Sequence, residues 1–133
     1  MIEQKNRFTR WEPINEVPEE MFIEAILDDY EGFRIILRGK QPDSRTLRIK
    51  FDDKVAYRNT DEAYLSRWWT SFPSGSLIGN LFIVENSTYA DDFERISEGL
   101  HPSGWQLVHY AIYTVHDCID VLSPYEPVIE WLN

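Results

Sequence analysis

Two short segments, "FRIILR" (33–38) and "TLRIKF" (46–51), limit the fold of this chain more than any other part of it. In the first, Phe33, Ile35 and Leu37 alternate with Arg34, Ile36 and Arg38; in the second, Leu47, Ile49 and Phe51 alternate with Arg48 and Lys50. A period of two is the mark of a strand with one face buried. The intervening "GKQPDSR" is loop chemistry, so the pair predicts an antiparallel hairpin with Arg34 near Lys50 and Arg38 near Thr46. Such a hairpin needs another layer over its apolar face.

The rest of the chain supplies that layer. "MFIEAIL" (21–27) alternates Met21, Ile23, Ala25 and Leu27 with Phe22, Glu24 and Ile26, which fits a strand and also a short helix. "LIGNLFIVEN" reads as a buried strand with Gly79 marking a bulge. "QLVHYAIYT", "CIDVL" and the closing "VIEWL" read as three more strands, with a reversal near Val115 to Cys118. Two segments change period. Thr60, Asp61 and Glu62 open a predicted helix over about 61–71, with Leu65, Trp68, Trp69 and Phe72 at helical spacing. A second helix is predicted from a capping arrangement at Thr88 and Asp91, an apolar stripe of Tyr89, Phe93, Ile96 and Leu100, and a C-terminal cap at Gly99. The expected fold is α+β: one domain over 1–133, a mainly antiparallel sheet with about two helices packed on it.

Composition agrees with a packed domain, since 43% of the residues are hydrophobic and 14% aromatic. No apolar run is long enough to span a bilayer and the N-terminus has no secretory h-region, so a soluble, cytoplasmic protein is expected. The single Cys118 fits a reducing compartment. A net charge of −10 argues against nucleic acid as a partner, because phosphate binding draws on Lys and Arg. The charge is uneven: residues 1–67 hold 12 basic and 14 acidic groups, whereas 68–133 hold one basic residue, Arg95, and 9 acidic ones.

The stretch "VHYAIYTVHDCIDVL" (108–122) holds His109, His116, Asp117 and Cys118, the inventory of a small hydrolase or a metal site. Spacing weakens both. On an extended strand the two histidines face opposite ways about 23 Å apart, and a reversal between them leaves His116 and Asp117 at the tip. His116 and Cys118 lie about 7 Å apart on one strand face, beyond direct hydrogen-bond reach. GxGxxG, phosphate-loop, GxSxG and HExxH patterns are absent from the sequence, so no catalytic residue, metal ligand or cofactor is assigned. His109, among apolar neighbours, reads as a hydrogen-bonded core histidine before it reads as a base.

Charge and aromatic residues point to binding instead. Arg34, Arg38, Arg48 and Lys50 form a basic outer face, to be met by the acidic stretch from Glu12 to Glu31 or by an acidic ligand. Trp68 and Trp69, rotated by about 100° on a helix, cannot both enter one core. With Asp91, Asp92, Glu94 and Glu98 they offer a surface to a basic partner. A small-ligand module with an aromatic pocket is a further alternative, and exposed edge strands allow a homodimer.

The segments "YEGFRIILRG", "VAYRNTDEAYL", "FIVENSTYADDF" and "VHYAIYTVHDCIDVLSPYEP" together resemble a group of small uncharacterised bacterial proteins. Some of these are similar to the immunity partners of secreted polymorphic toxins. The resemblance implies a protein that neutralises a secreted toxin; the acidic excess over residues 68–133 leads to the expectation that the toxin domain is basic, and the missing catalytic motifs to the expectation that the chain is non-catalytic.

Overall fold

A computed structural model describes residues 5–14, 17, 20–41, 44–65, 68, 80–98, 100 and 105–132. Among these residues nine strands form two antiparallel sheets: β1 (Arg7–Arg10), β2 (Met21–Asp29), β3 (Gly32–Gly39), β4 (Thr46–Phe51), β5 (Ala56–Asp61), β6 (Asn80–Glu85), β7 (Val108–Tyr113), β8 (Asp117–Ser123) and β9 (Val128–Trp131). One sheet runs β1-β6-β7-β8-β5 and the other β2-β3-β4-β9. The fold is a sheet-dominated form of the α+β class.

The expected hairpin is present: β3 pairs with β4 with Arg34 opposite Lys50 and Arg38 opposite Thr46. Its inward face carries Phe33, Ile35, Leu37, Leu47, Ile49 and Phe51, all fully buried. These pack against Leu81, Tyr110, Ile112, Ile119 and Val121 of the other sheet in one apolar cluster. Aromatic pairs also bridge the sheets, with Phe33 4.4 Å from Tyr57 and Phe51 5.4 Å from Tyr110 between ring centres. Each fully buried Phe, Leu or Ile of this cluster contributes about 1.5–3 kcal/mol.

β2 resolves the ambiguity of "MFIEAIL". It is a strand, but its register with β3 shifts between Ile23 and Ala25. The extra residue moves the inward parity from Met21 and Ile23 to Ile26, so Ile23 and Ile26 both reach the core. An i, i+3 pair of half-buried residues on the core side imitates helical spacing in the sequence.

Two helices were expected; the described residues contain one complete α-helix, α1 (Thr88–Ser97), and Trp68, within the first expected helix, is also α-helical. In the first expected helix, Glu62–Tyr64 is a single 3-10 turn capped by Asp61, which accepts from the Ala63 N–H. Asp61 itself still belongs to β5, whose pairing with β8 holds the backbone extended up to that point. Most of the remainder of 61–71, with Trp69, and the bulge expected at Gly79 lie outside the described residues. At α1 the cap is Ser87, one residue earlier than expected, and its Oγ accepts from Ala90 N–H at 2.9 Å. The left-handed C-terminal position is taken by Glu98 (φ 55°); Gly99 is not among the described residues.

β1 and β5 were not anticipated. "RFTR" and "AYRNTD" each hold too little apolar alternation to signal a strand. Both are outer strands of the five-stranded sheet, where one paired neighbour is enough. β7 and β8 form the expected hairpin, with Val115 and His116 at the tip and His116 in the left-handed region at φ 82°.

Candidate functional site on the outer face of the five-stranded sheet

The period of two gives β7 and β8 a second face, turned away from the sandwich core. His109, Ala111 and Tyr113 of β7 lie on it, with Cys118, Asp120 and Leu122 of β8. Arg58 and Thr60 of β5 continue the same face. Cys118, Ala111, Tyr113, Phe82 and Val84 make its apolar part, covered by Phe8, Leu65 and Trp68.

Asp120 is the centre of the polar part, 1% exposed. Its Oδ1 accepts from His109 Nε2 at 2.6 Å and from the Tyr113 hydroxyl at 2.7 Å. Its Oδ2 accepts from Arg58 Nε at 3.0 Å. Burial pushes this carboxyl up, but His109, through its hydrogen bond and the charge it carries when protonated, the positive charge of Arg58 and the Tyr113 hydroxyl together hold it below the usual carboxylate range. An ionised Asp120 accepts only, so a ring bearing one proton carries it on Nε2. His109 Nδ1 then accepts from Ser87 Oγ at 2.6 Å. Tyr113, buried and facing the charge of Asp120, has its phenol pushed strongly up and stays a hydroxyl donor.

Ser87, His109 and Asp120 are the residue types of a hydrolytic relay, yet the serine is 6% exposed and its Oγ is already engaged by Ala90 N–H and by the ring. In this geometry the relay ties the start of α1 to the middle of the sheet. Tyr89, from the first turn of the helix, closes the edge: its ring meets His109 at 5.5 Å and lies 4.1 Å from the Arg58 guanidinium carbon.

A cleft of about 340 Å³ opens beside this network, lined by Arg58, Thr60, Leu65, Trp68, Thr88, Tyr113 and Asp120. Two residues expected at sites thus meet here in different roles: His109 within the buried network, and Trp68 on the wall.

The other members of the catalytic inventory are not brought together. His116 sits at the hairpin tip, 74% exposed, with Nδ1 3.8 Å from Glu62. Asp117 accepts from the Asn59 side chain at 3.0 Å. Cys118 is fully buried, and burial first, with the charges of Asp120, Glu62, Asp117 and Asp61, pushes its thiol up to about 12. A thiolate does not form there near neutral pH. Among the described residues no three His, Cys, Asp or Glu side chains are grouped to hold a metal ion.

The expected basic face is present but internally matched. Arg34 meets Asp29 and Glu31, Arg38 meets Glu24, Arg48 meets Glu130 and Lys50 meets Asp52. Asp29, Glu31 and Glu24 belong to the acidic stretch, which pairs with the ribbon through β2. On α1, Asp91 meets Lys5 at 2.7 Å and Asp92 meets Arg95 at 3.5 Å, while Glu98 is exposed at the helix end. Glu94 is half-buried, and Trp69 is outside the described residues.

Arg58, Tyr113, Asp120, Ser87 and Tyr89 were not singled out as a site in the sequence. One signal was available: with the reversal at Val115–His116, His109 and Asp120 fall diagonally opposite on one face of two otherwise apolar strands. No helix among the described residues is long and apolar enough to cross a membrane. Comparison with protein-family models, with curated proteins and with solved structures finds no match to this chain.

Proposed function

We propose that this chain is a non-catalytic protein-binding protein that uses the outer surface of α1 against a basic, partly apolar protein surface, as an immunity protein would against its toxin. The observation that carries this reading is the end of the helix. Tyr89 and Phe93 are half-buried, but Ile96 is 72% exposed and Leu100, just beyond the last turn, 89%. Exposed large apolar groups beside Asp92 and Glu98 are the mixed surface that a protein interface covers. The net of nine acids against Arg95 over residues 68–133 selects a partner of opposite charge and speeds its approach.

The test is co-expression with the products of the flanking genes, followed by purification and sedimentation. A one-to-one complex with a basic chain is expected, weakened by salt and lost in Ile96→Asp. Failure of every flanking product to bind, or a complex indifferent to both Ile96→Asp and Glu98→Lys, overturns the reading.

A further inference from the structure

We infer that the cleft beside Arg58 is a binding site for a small monocarboxylate with a flat apolar body. This goes beyond the protein-binding reading, because the cleft is formed by the sheet face and Trp68 and not by the exposed end of α1.

The cleft volume, about 340 Å³, is that of a small-molecule site. Its lining divides by chemistry: Leu65, Trp68 and Tyr113 present apolar surface, Thr60 and Thr88 present hydroxyls, and Arg58 presents the charge. Asp120 also borders the cleft, but its Oδ1 is taken by His109 and Tyr113 and its Oδ2 by Arg58, and it is 1% exposed. The cleft therefore meets the guanidinium and not the carboxylate.

Arg58 is pre-set for this role. Its bond to Asp120 uses Nε, and its guanidinium carbon lies 4.1 Å from the centre of the Tyr89 ring. These two contacts fix the plane of the group and leave its terminal nitrogens outside the bond to Asp120, on a side chain 47% exposed. Two parallel N–H groups match the two oxygens of a carboxylate. Arg58 is the one cationic side chain among the described lining residues, in a chain of net charge −10. Asp120 already offsets part of the Arg58 charge, so a phosphate dianion meets more repulsion here than a monoanion does, which favours carboxylate over phosphate.

The probes are benzoate, phenyl phosphate and benzamide, followed by NMR titration of the full chain at pH 7. Benzoate is expected to give saturable shifts at the Trp68 indole N–H and the Thr60 and Tyr113 amides. Binding is expected to weaken at least about tenfold in Arg58→Gln, as for a lost charge-assisted bond, and to hold in Arg38→Gln on the other sheet. Thr60→Val, which leaves the Asp120 network intact, weakens binding by a few fold if the hydroxyl takes part. Benzamide and phenyl phosphate are expected to bind more weakly than benzoate. The site is overturned by an absence of saturable shifts up to about 10 mM benzoate, by equal binding of benzamide, by tighter binding of phenyl phosphate, or by unchanged affinity in a folded Arg58→Gln protein.

Discussion

On the outer face of the four-stranded sheet, Arg38 meets Glu24 at 3.6 Å with both side chains nearly half exposed, at 47% and 46%. On the outer face of the five-stranded sheet, Arg58 meets Asp120 at 3.0 Å, and there the carboxylate is 1% exposed. Each pairs an arginine with a carboxylate, and the surroundings differ. Around Arg38, water screens the charges and competes for every bond, so the pair contributes little. Around Asp120, α1 and Trp68 help exclude water, and any donor that loses its acceptor stays unpaired. The Arg38–Glu24 pair is a solvated charge match; the Asp120 network is a polar core.

The sharpest way to break this contrast is Asp120→Ala. It strands the buried His109 and Tyr113, while the half-exposed Arg58 can turn to water, and a loss of about 3 kcal/mol or more in denaturant unfolding is expected. A loss below about 1 kcal/mol would place the network in water. Ser87→Ala removes both the helix cap and the partner of His109 Nδ1, with an expected cost of about 1–2 kcal/mol and faster amide exchange in the first turn of α1. Tyr113→Phe deletes one of three donors to Asp120 while keeping the ring, and should cost about 1 kcal/mol. At the small end, Arg38→Gln should change stability by about 0.5 kcal/mol or less, with the difference vanishing in high salt.

Acid sharpens the same comparison. The Asp120 carboxyl lies below its ordinary 3.8 in the folded protein, so between the folded and unfolded values the unfolded chain binds more protons. Stability from this group is complete above the unfolded value and is lost as pH falls through the folded one. Asp120→Asn should flatten that acid limb, which unfolding measured from pH 6 downward would show.

The legible and illegible parts of the molecule differ in range. Residues 33–51 could be read down to the pairing of Arg34 with Lys50, because alternation and a short loop are local facts. The parity of β2 could not, since one inserted residue at the bulge puts Ile23 and Ile26 on the same side. β5 was missed because Arg58, Asn59 and Thr60 carry no apolar alternation, and this strand supplies the cation of the site. The site itself joins Arg58, Ser87, Tyr113 and Asp120 from four separate segments, so spacing along the chain carries almost no trace of it. What could be read was negative: His109 and His116 were separable by parity alone, and the hairpin does place one inside and one at the tip.

The strand order has a kinetic consequence. Arg7 of β1 pairs with Glu85 of β6 across 78 residues, and Arg48 of β4 with Glu130 of β9 across 82. Each sheet therefore acquires an outer strand only after a long loop has closed, and loop closure costs entropy before any contact repays it. Such a chain should fold in milliseconds to seconds rather than microseconds. On the ribosome, the β2–β3–β4 meander can form early, while its basic and acidic side chains keep it soluble until β9 emerges to cover the open edge of β4.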